Sequence, residues 1–499
     1  MKIIKLTSIG LIAGLIVSGI GCTKKIDEFG DINVNPGIVA EANTAALLTN
    51  VLSAMGDEVW AVNPGLYSQL YAETQYTEAS RYVRIQPDFG PYYSSQLYDL
   101  VNIMKINTDP ETAGKAAVNG SNANQIATAR ILKAWWFGRV TNQWGDVPYF
   151  KALNFEGQIP YDKQQDIYTD LFKELKEAVA QFDGGAPVKG DILLNGNVTA
   201  WKKFANSLRM IMALRLSAVD ATKGKAEFLD AMAGNGGYLT TNADNVMLAY
   251  PGGTYPSTFY EYYSVTMRSD YAISKTVTDF MNPAGDLRID AWGGNRNPTG
   301  QPGAGPSDIG FAYGLERNDA IAFSAANPDW ARIINPQIRT EDMPMPVITA
   351  SQVTLARAEA AQRGWTAENV ATLYRTGIEL NWRQWDVYDA TAFNAYMLHP
   401  SVALTAGTEL EKIIRQRWLA AFPDGLEAWN IVRSTGFPVL TPAPGTSSPA
   451  GTTRIIPIRM AIAQTHFDLN NTNTNAVAEI YKVGGEKDSQ YGKMWWVKP

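Results

Sequence analysis

Apolar residues recur at intervals of three and four positions along much of the chain, which is the spacing of amphipathic helices. Two of the longest stripes are Ile167, Leu171, Leu175, Val179 and Phe182, and then Trp201, Phe204, Leu208, Met212 and Leu216. Asp162 with Gln165 is placed to cap the first of these helices, and Asp424 with Glu427 to cap a late one. The pattern therefore predicts a mostly α-helical chain.

The predicted helices fall into consecutive antiparallel pairs of similar length. The pairs are about 124–140 with 163–182, 197–219 with 226–234, 351–363 with 367–382, and 408–421 with 425–434. Helix pairs of this length are typical of tetratricopeptide-type repeats. Because one such pair cannot bury its apolar face alone, we expect the pairs to stack into a scaffold.

Two stretches rich in Gly, Pro and Asn interrupt this helical pattern. The longer one spans about 250–345 and the shorter one about 438–453. Long irregular insertions on a rigid scaffold are common places for binding sites. We therefore expect residues 41–499 to form a single domain with a binding insertion at about 250–345.

The N-terminus has the pattern of a bacterial lipoprotein signal. Lys2 and Lys5 precede an apolar stretch that ends in small residues before Cys22, the one cysteine of the chain. The pattern predicts a signal peptide over residues 1–21, a lipidated Cys22 and a tether over 22–40. A plain secretory signal with an incidental cysteine is the alternative.

Composition narrows the classes of function. The hydrophobic fraction of 45% suits a large core, and the net charge of −6 gives no reason to expect nucleic acid as a partner. The two histidines, His399 and His466, lack the spacing of a zinc hydrolase. We predict no catalytic residues, no metal and no cofactor, and we expect Glu359 and Arg433 to form structural contacts between helices.

Aromatic residues in the irregular segments are the candidate ligand contacts. Aromatic rings can stack on the apolar faces of sugars, and nearby polar groups can orient the sugar hydroxyls. The predicted ligand-binding residues are Tyr76, Arg81, Tyr82 and Tyr93 in the early segment, and Tyr260, Trp292 and Trp330 in the long insertion.

Several sequence blocks together resemble the SusD/RagB family of outer-membrane nutrient-binding lipoproteins, specifically its SusD-like subgroup. The blocks are Asp31–Pro36, Ala129–Ala134, Trp144–Tyr149, Trp201–Arg209, Ala358–Ala360 with Arg363–Trp365, Gln416–Trp418, Glu427–Trp429, Arg433–Pro438, Ile456–Arg459 and Trp495–Trp496. The resemblance implies a helical scaffold with four tetratricopeptide-type units. It also implies a partner, a SusC-like TonB-dependent outer-membrane barrel, and a cargo that is usually an oligosaccharide and in some members a peptide.

The pattern and the resemblance together predict a cell-surface, lipid-anchored outer-membrane protein that binds carbohydrate and is not an enzyme. Three alternatives remain open at this stage. They are a peptide-binding member of the same family, a secreted glycan-active enzyme, and a scaffold that only holds another protein.

Metabolic labelling tests the predicted lipid anchor. Cells grown with radioactive palmitate should yield a labelled mature protein in the membrane fraction, because two or three acyl chains are enough for stable anchoring. An unlabelled mature polypeptide that is free in the medium would contradict the prediction.

Overall fold

A computed structural model describes residues 43–154, 157–295 and 305–498 of the chain. Its contacts divide the chain into two units, Met1–Asn43 and Thr44–Pro499. The predicted signal peptide, Cys22 and the tether lie outside the described residues.

The described residues are predominantly helical. In chain order, the helices are α1 (Thr44–Ser53), α2 (Met55–Val59), α3 (Val62–Tyr67), α4 (Gly90–Ser94), α5 (Gln96–Thr108), α6 (Ala113–Ala116), α7 (Asn122–Trp144), α8 (Gln164–Gln181), α9 (Val198–Leu214), α10 (Ala221–Met232), α11 (Thr258–Tyr260), α12 (Lys275–Met281), α13 (Arg288–Trp292), α14 (Arg317–Ala326), α15 (Ala350–Gln362), α16 (Val370–Gln384), α17 (Ala390–Leu398), α18 (Glu409–Ala420), α19 (Gly425–Thr435), α20 (Gln464–Leu469) and α21 (Asn471–Ile480). Short 3-10 turns lie at Ala117–Asn119, Arg215–Ala218, Asn242–Asp244 and Asn282–Ala284, and a π-helical turn lies at Glu261–Val265.

The four predicted helix pairs are present. Helix α7 packs on α8, α9 on α10, α15 on α16, and α18 on α19. The pairs also contact one another, since α8 meets α9, α9 meets α15, and α15 meets α18. The stacked scaffold expected from the helical periodicity is therefore the observed fold.

Helix α7 lies at the centre of the first half of this scaffold. It is buried around most of its circumference, including the rings of Trp135, Trp136 and Trp144. Its neighbours are α5, α8, α9 and α19. Because α7 is covered on most sides, its buried residues are polar as well as apolar, and no single apolar stripe marks the helix in the sequence.

Side-chain caps begin several of the helices, and one of the two predicted caps is confirmed. The carboxylate of Asp424 accepts hydrogen bonds from the backbone N–H groups of Leu426 and Glu427, each at 3.0 Å, as expected for the cap of α19. The predicted cap of α8 by Asp162 is wrong. Asp162 instead accepts from the backbone N–H groups of Tyr149 at 2.8 Å and Phe150 at 2.9 Å, which draws its carboxylate to the preceding turn.

The backbone N–H at the start of α8, which Asp162 does not cap, has another partner. The carboxylate of Asp146, in the Trp144–Tyr149 block, accepts from the backbone N–H of Gln164 at 2.9 Å. One sequence block therefore ends α7 and satisfies the start of α8, which keeps the two helices of the pair in register.

Six short strands lie among the described residues, and the third, fourth and fifth of them belong to the long insertion. The strands are β1 (Tyr71–Glu73), β2 (Val246–Leu248), β3 (Tyr271–Ile273), β4 (Gly293–Gly294), β5 (Arg332–Ile333) and β6 (Met345–Ile348). They form three antiparallel two-stranded sheets within the described residues, β1 with β3, β2 with β6, and β4 with β5. The insertion is thus tied to the early part of the chain by β1 and β3.

Long apolar helices of the membrane-spanning kind do not occur among residues 43–154, 157–295 and 305–498.

Glu359 makes the structural contact that was expected of it. Its side chain is fully buried in α15, where it accepts a hydrogen bond from Nε of Arg363 at 2.7 Å and pairs with Arg417 of α18. Burial alone would raise the pKa of this carboxyl, but the two guanidinium groups outweigh burial and lower it. The ion pair therefore joins two neighbouring helix pairs.

Replacing Glu359 by Gln should lower the free energy of unfolding by about 3 kcal/mol, because two guanidinium groups would lose their buried counter-charge. Denaturant unfolding of the purified protein measures this change. Glu379→Gln is the matched control, since Glu379 pairs with Arg383 at 2.8 Å on the more exposed face of α16 and should cost less than about 1 kcal/mol. An equal loss of unfolding free energy in the two variants would contradict the assignment of Glu359 as a buried contact between helix pairs.

Candidate functional site

Strand pairing brings the early segment and the insertion together. Tyr71 pairs with Ile273 and Glu73 with Tyr271, so the residues that follow β1 lie beside those that precede β3. Under this small sheet lies a separate apolar cluster formed by Ala72, Ala272, Phe311, Ala320 and Trp330. The cluster fixes helix α14 and the chain after it against the sheet.

An open cavity of about 430 Å³ lies where these segments meet, and we call it the β1–α14 groove. Its lining residues are Thr74, Gln75, Ser269, Ile321, Ser324, Ala325, Pro328, Trp330 and Arg332. The lining includes both apolar and polar groups. The groove is of the size usual for small-molecule sites, roughly 300–1,000 Å³.

Polar side chains of the groove are held in place by their neighbours. The hydroxyl of Thr74 donates to the carbonyl of Ser269 at 2.6 Å, and the indole N–H of Trp330 donates to the hydroxyl of Ser324 at 2.9 Å. The Arg332 guanidinium lies 3.8 Å from the centre of the Trp330 ring. These contacts preorganise the wall of the groove, which lowers the entropy lost when a ligand binds.

Among the predicted ligand-binding residues, Trp330 lines the groove and Tyr76 follows one of its lining residues in sequence. The Trp330 side chain is buried, with Arg332 over one face, so it forms wall and does not present an open ring. Tyr76 is 48% exposed, and the Arg317 guanidinium lies 5.4 Å from its ring centre. Tyr76 is therefore the predicted aromatic whose ring is most accessible.

Arg81 holds the loop that follows Tyr76. Its guanidinium donates to the carbonyls of Gly314 at 3.0 Å and Pro444 at 3.1 Å, and it pairs with Glu316 at 3.1 Å. These contacts join the loop after Tyr76 to the segment just before α14 and to the segment around Pro444. Arg81 is thus placed to position the rim of the groove.

The other predicted residues lie elsewhere, and three of them pack against the scaffold. Trp292 is fully buried and stacked on Phe422 at 4.4 Å, so its ring has no face open to a ligand in this structure. The Tyr82 ring is also buried, and its hydroxyl accepts from the backbone N–H of Ala443 at 3.1 Å. Tyr93 donates to the carbonyl of Pro148 at 2.6 Å, and Tyr260 is partly buried in α11.

The groove also contains residues that were not predicted, among them Thr74, Gln75, Ser269 and Arg332. Such side chains are common in exposed loops, so their type gave no signal. They become neighbours through the β1–β3 pairing, which joins positions about 200 residues apart in sequence. A periodic pattern in the sequence does not encode a contact of that range.

Two carboxylates near the groove have opposite pKa shifts. Burial raises the pKa of Glu73 to about 7, although hydrogen bonds from the N–H and hydroxyl of Ser80, both at 2.8 Å, oppose this shift. Burial would also raise the pKa of Asp270, but hydrogen bonds from Gln75, Arg268 and Tyr262 lower it. Asp270 is therefore ionised at neutral pH, while Glu73 is close to its midpoint.

Within the part of the chain that the structure describes, no three or more His, Cys, Asp or Glu side chains come together as a metal site would require.

Over residues 36–462, the chain matches the SusD-like_2 family model, which is described as starch-binding and associating with the outer membrane. The chain belongs to the SusD-like family. The family and the helical scaffold predicted from the sequence are thereby confirmed. No curated protein matches this chain.

Solved structures share the SusD-like fold across almost the whole chain. A chitin-binding protein aligns with a TM-score of 0.74 at 29% sequence identity, covering 91% of this chain and 100% of its own. A SusD homolog from Bacteroides uniformis aligns with a TM-score of 0.75 at 22% identity, covering 92% and 100%. A chitin-binding SusD homolog from Flavobacterium johnsoniae aligns with a TM-score of 0.74 at 23% identity, covering 91% and 98%.

The raised pKa of Glu73 predicts a pH dependence of stability. The pKa is higher in the folded state than in the unfolded state, so folding stability should fall as the pH rises from about 4.5 to about 7 and then level off. The full loss is at most about 3 kcal/mol. Glu73→Gln should remove this loss, because a neutral amide does not ionise.

Chemical unfolding at about pH 5 and about pH 8 measures the effect. Between these two conditions, Glu73→Gln should lose less stability than the wild type. Glu111→Gln, at an exposed position, is the control and should follow the wild type. A Glu73→Gln variant with the same pH profile as the wild type would show that Glu73 is not the titrating group.

Proposed function

We propose that this SusD-like protein is a cell-surface nutrient-binding lipoprotein that captures an oligosaccharide and delivers it to a SusC-like TonB-dependent outer-membrane barrel. The observation that supports the binding step is the β1–α14 groove, an open and preorganised cavity formed by the non-repeat segments of a helical scaffold. We further propose that the protein binds its cargo without transforming it.

The chemistry of the groove suits a glycan. Ile321, Ala325 and Pro328 provide apolar surface for the faces of sugar rings. Thr74, Gln75 and Ser324 provide hydroxyl and amide groups that can exchange hydrogen bonds with sugar hydroxyls. This combination of apolar surface and a few fixed polar groups is typical of sites that orient a small polar ligand.

The relatives indicate which glycan to test first. The structure at 29% identity is described as a chitin-binding protein. We therefore propose chito-oligosaccharides as the leading cargo, with starch-derived oligosaccharides as the next class because of the family description. A peptide cargo remains the alternative, and peptide ligands belong in the same binding panel.

A lipid anchor at Cys22 would make delivery efficient. Anchoring confines the protein to the outer-membrane surface, where a barrel partner is also confined. A captured glycan then has a high effective concentration at the entrance of the transporter, without any chemical step by the binding protein. In this proposal the scaffold supplies rigidity, and the groove supplies recognition.

Filling the groove should abolish binding. Ala325 is exposed on α14 and lines the groove, so Ala325→Trp would place an indole where the ligand lies. We expect the affinity for a bound chito-oligosaccharide to fall at least about tenfold, measured by isothermal titration calorimetry. Mass spectrometry of the same mixtures should show unchanged glycans.

Ala322→Trp is the matched control. Ala322 is exposed on the same helix but does not line the groove, so its replacement adds the same ring at a neighbouring position. This variant should bind like the wild type. Equal binding by all three proteins would place the glycan elsewhere, and turnover of the glycan would favour the enzyme alternative.

A further inference from the structure

A second open cavity lies at the end of α19, far along the chain from the residues of the β1–α14 groove. We call it the α19 cavity, and its volume is about 450 Å³. Its walls come from α19 and the turn after it, from Pro442, from the returning segment Thr453–Ile458, and from Lys498. Thr453 and Lys498 are exposed, so the cavity opens to solvent beside them.

The lining of the α19 cavity contains three basic side chains and no acidic one among the described residues. The basic residues are Arg433, Arg454 and Lys498. None of them forms an ion pair with a carboxylate in the part of the chain that the structure describes, in contrast to the paired Arg417 and Arg459 nearby. The described lining of the cavity is therefore positively charged and has no carboxylate paired with its cations.

Arg433 forms the charged floor of the cavity. It is 4% exposed, and its guanidinium donates to the carbonyl of Ile458 at 2.7 Å and to the amide oxygen of Asn430 at 2.6 Å. The guanidinium also lies between the rings of Trp429 at 3.5 Å and Trp496 at 4.8 Å. These contacts fix the cation, and all of them are with neutral groups.

The other two cations lie at the mouth and have donors to spare. The Arg454 guanidinium donates to the carbonyl of Lys498 at 2.7 Å, and the Lys498 ammonium donates to the carbonyl of Thr435 at 3.0 Å. A guanidinium has five N–H donors and an ammonium has three. Most of these donors are therefore available to a ligand at the mouth of the cavity.

Burial of the two guanidinium groups is unfavourable. Burial lowers the pKa of Arg433 well below its ordinary value, and it also lowers the pKa of Arg454. An anion in the cavity would offset this cost, because charge pairing is strong where solvent is partly excluded. The same effect makes a cationic ligand unfavourable.

The remaining lining is mostly aliphatic. Its apolar members are Trp429, Val432, Pro442, Ile455, Ile456, Pro457 and Ile458. Hydrocarbon of this kind favours an alkyl chain over the hydroxyl-rich surface of a sugar, because hydroxyl groups would lose their hydrogen bonds to water there. The basic part and the aliphatic part of the lining together favour a ligand that has one negative charge and an alkyl chain.

We infer that the α19 cavity binds an aliphatic carboxylate, with the carboxylate at Arg454 and Lys498 and the alkyl chain against the isoleucine wall. The ligand can be a free carboxylic acid or the terminal carboxylate of an apolar peptide, since both offer the same chemistry. This inference does not depend on the glycan groove, and either proposal can fail without the other.

Calorimetric titration of the full-length protein with octanoate near neutral pH is the direct test. Octan-1-ol is the neutral comparison, and a short leucine peptide with a free or an amidated C-terminus distinguishes the two sources. We expect binding of octanoate, of the free-acid peptide, or of both, and at least about tenfold weaker binding of the neutral counterparts. Equal binding of charged and neutral probes, or no binding of either, would overturn the inference.

Variants at the mouth of the cavity test the location. Arg454→Gln and Lys498→Gln should each weaken binding of the charged probe by about tenfold. Neither side chain is part of the buried core, and thermal unfolding of each variant checks that the fold is retained. Arg375→Gln, on the exposed face of α16 and outside the cavity, should bind like the wild type. Unchanged binding by both mouth variants would place the carboxylate elsewhere.

Discussion

Arg139 of α7 lies between two carboxylates that come from opposite ends of the chain. Its guanidinium pairs with Glu58 of α2 at 2.8 Å and with Asp424 at the start of α19 at 2.8 Å. All three side chains are nearly buried, so none can be left unpaired without a large cost. The first and last parts of the scaffold are held to the same helix by this one guanidinium.

A second set of buried ion pairs continues this connection through the stack. Glu427 of α19 pairs with Arg215, which follows α9, and lies 4.0 Å from Arg417 of α18. Arg417 in turn pairs with Glu359 of α15. Each of the four helix pairs thus contributes at least one charged side chain to a polar line inside the apolar core. Apolar stacking alone would allow helices to slide, whereas paired buried charges specify one arrangement.

The rigid scaffold positions two cavities of different chemistry. The β1–α14 groove has a mixed wall of small polar and apolar groups, which suits a neutral glycan. The α19 cavity has a wall of isoleucine and proline and three cations that pair with no carboxylate among the described residues, which suits an apolar anion. Both are built from segments outside the repeat helices or at their ends. The cavities lie in these segments because the faces of the repeat helices already pack against one another in the scaffold.

Local sequence patterns determined the helices, their pairing and the family. Periodic apolar residues are sufficient for the helices and their pairing, because helix formation and antiparallel packing involve neighbours that are close along the chain. The family was indicated by the resemblance of whole sequence blocks. The same patterns could not distinguish aromatic residues that pack in the core, such as Trp292 and Tyr82, from aromatic residues that face solvent.

Only the tertiary structure decided where the cavities lie. The groove requires Tyr71 and Ile273 to pair across about 200 residues, and the α19 cavity requires Arg433, Arg454 and Lys498 to line one space. Such contacts depend on the closure of the whole chain, which no local pattern records.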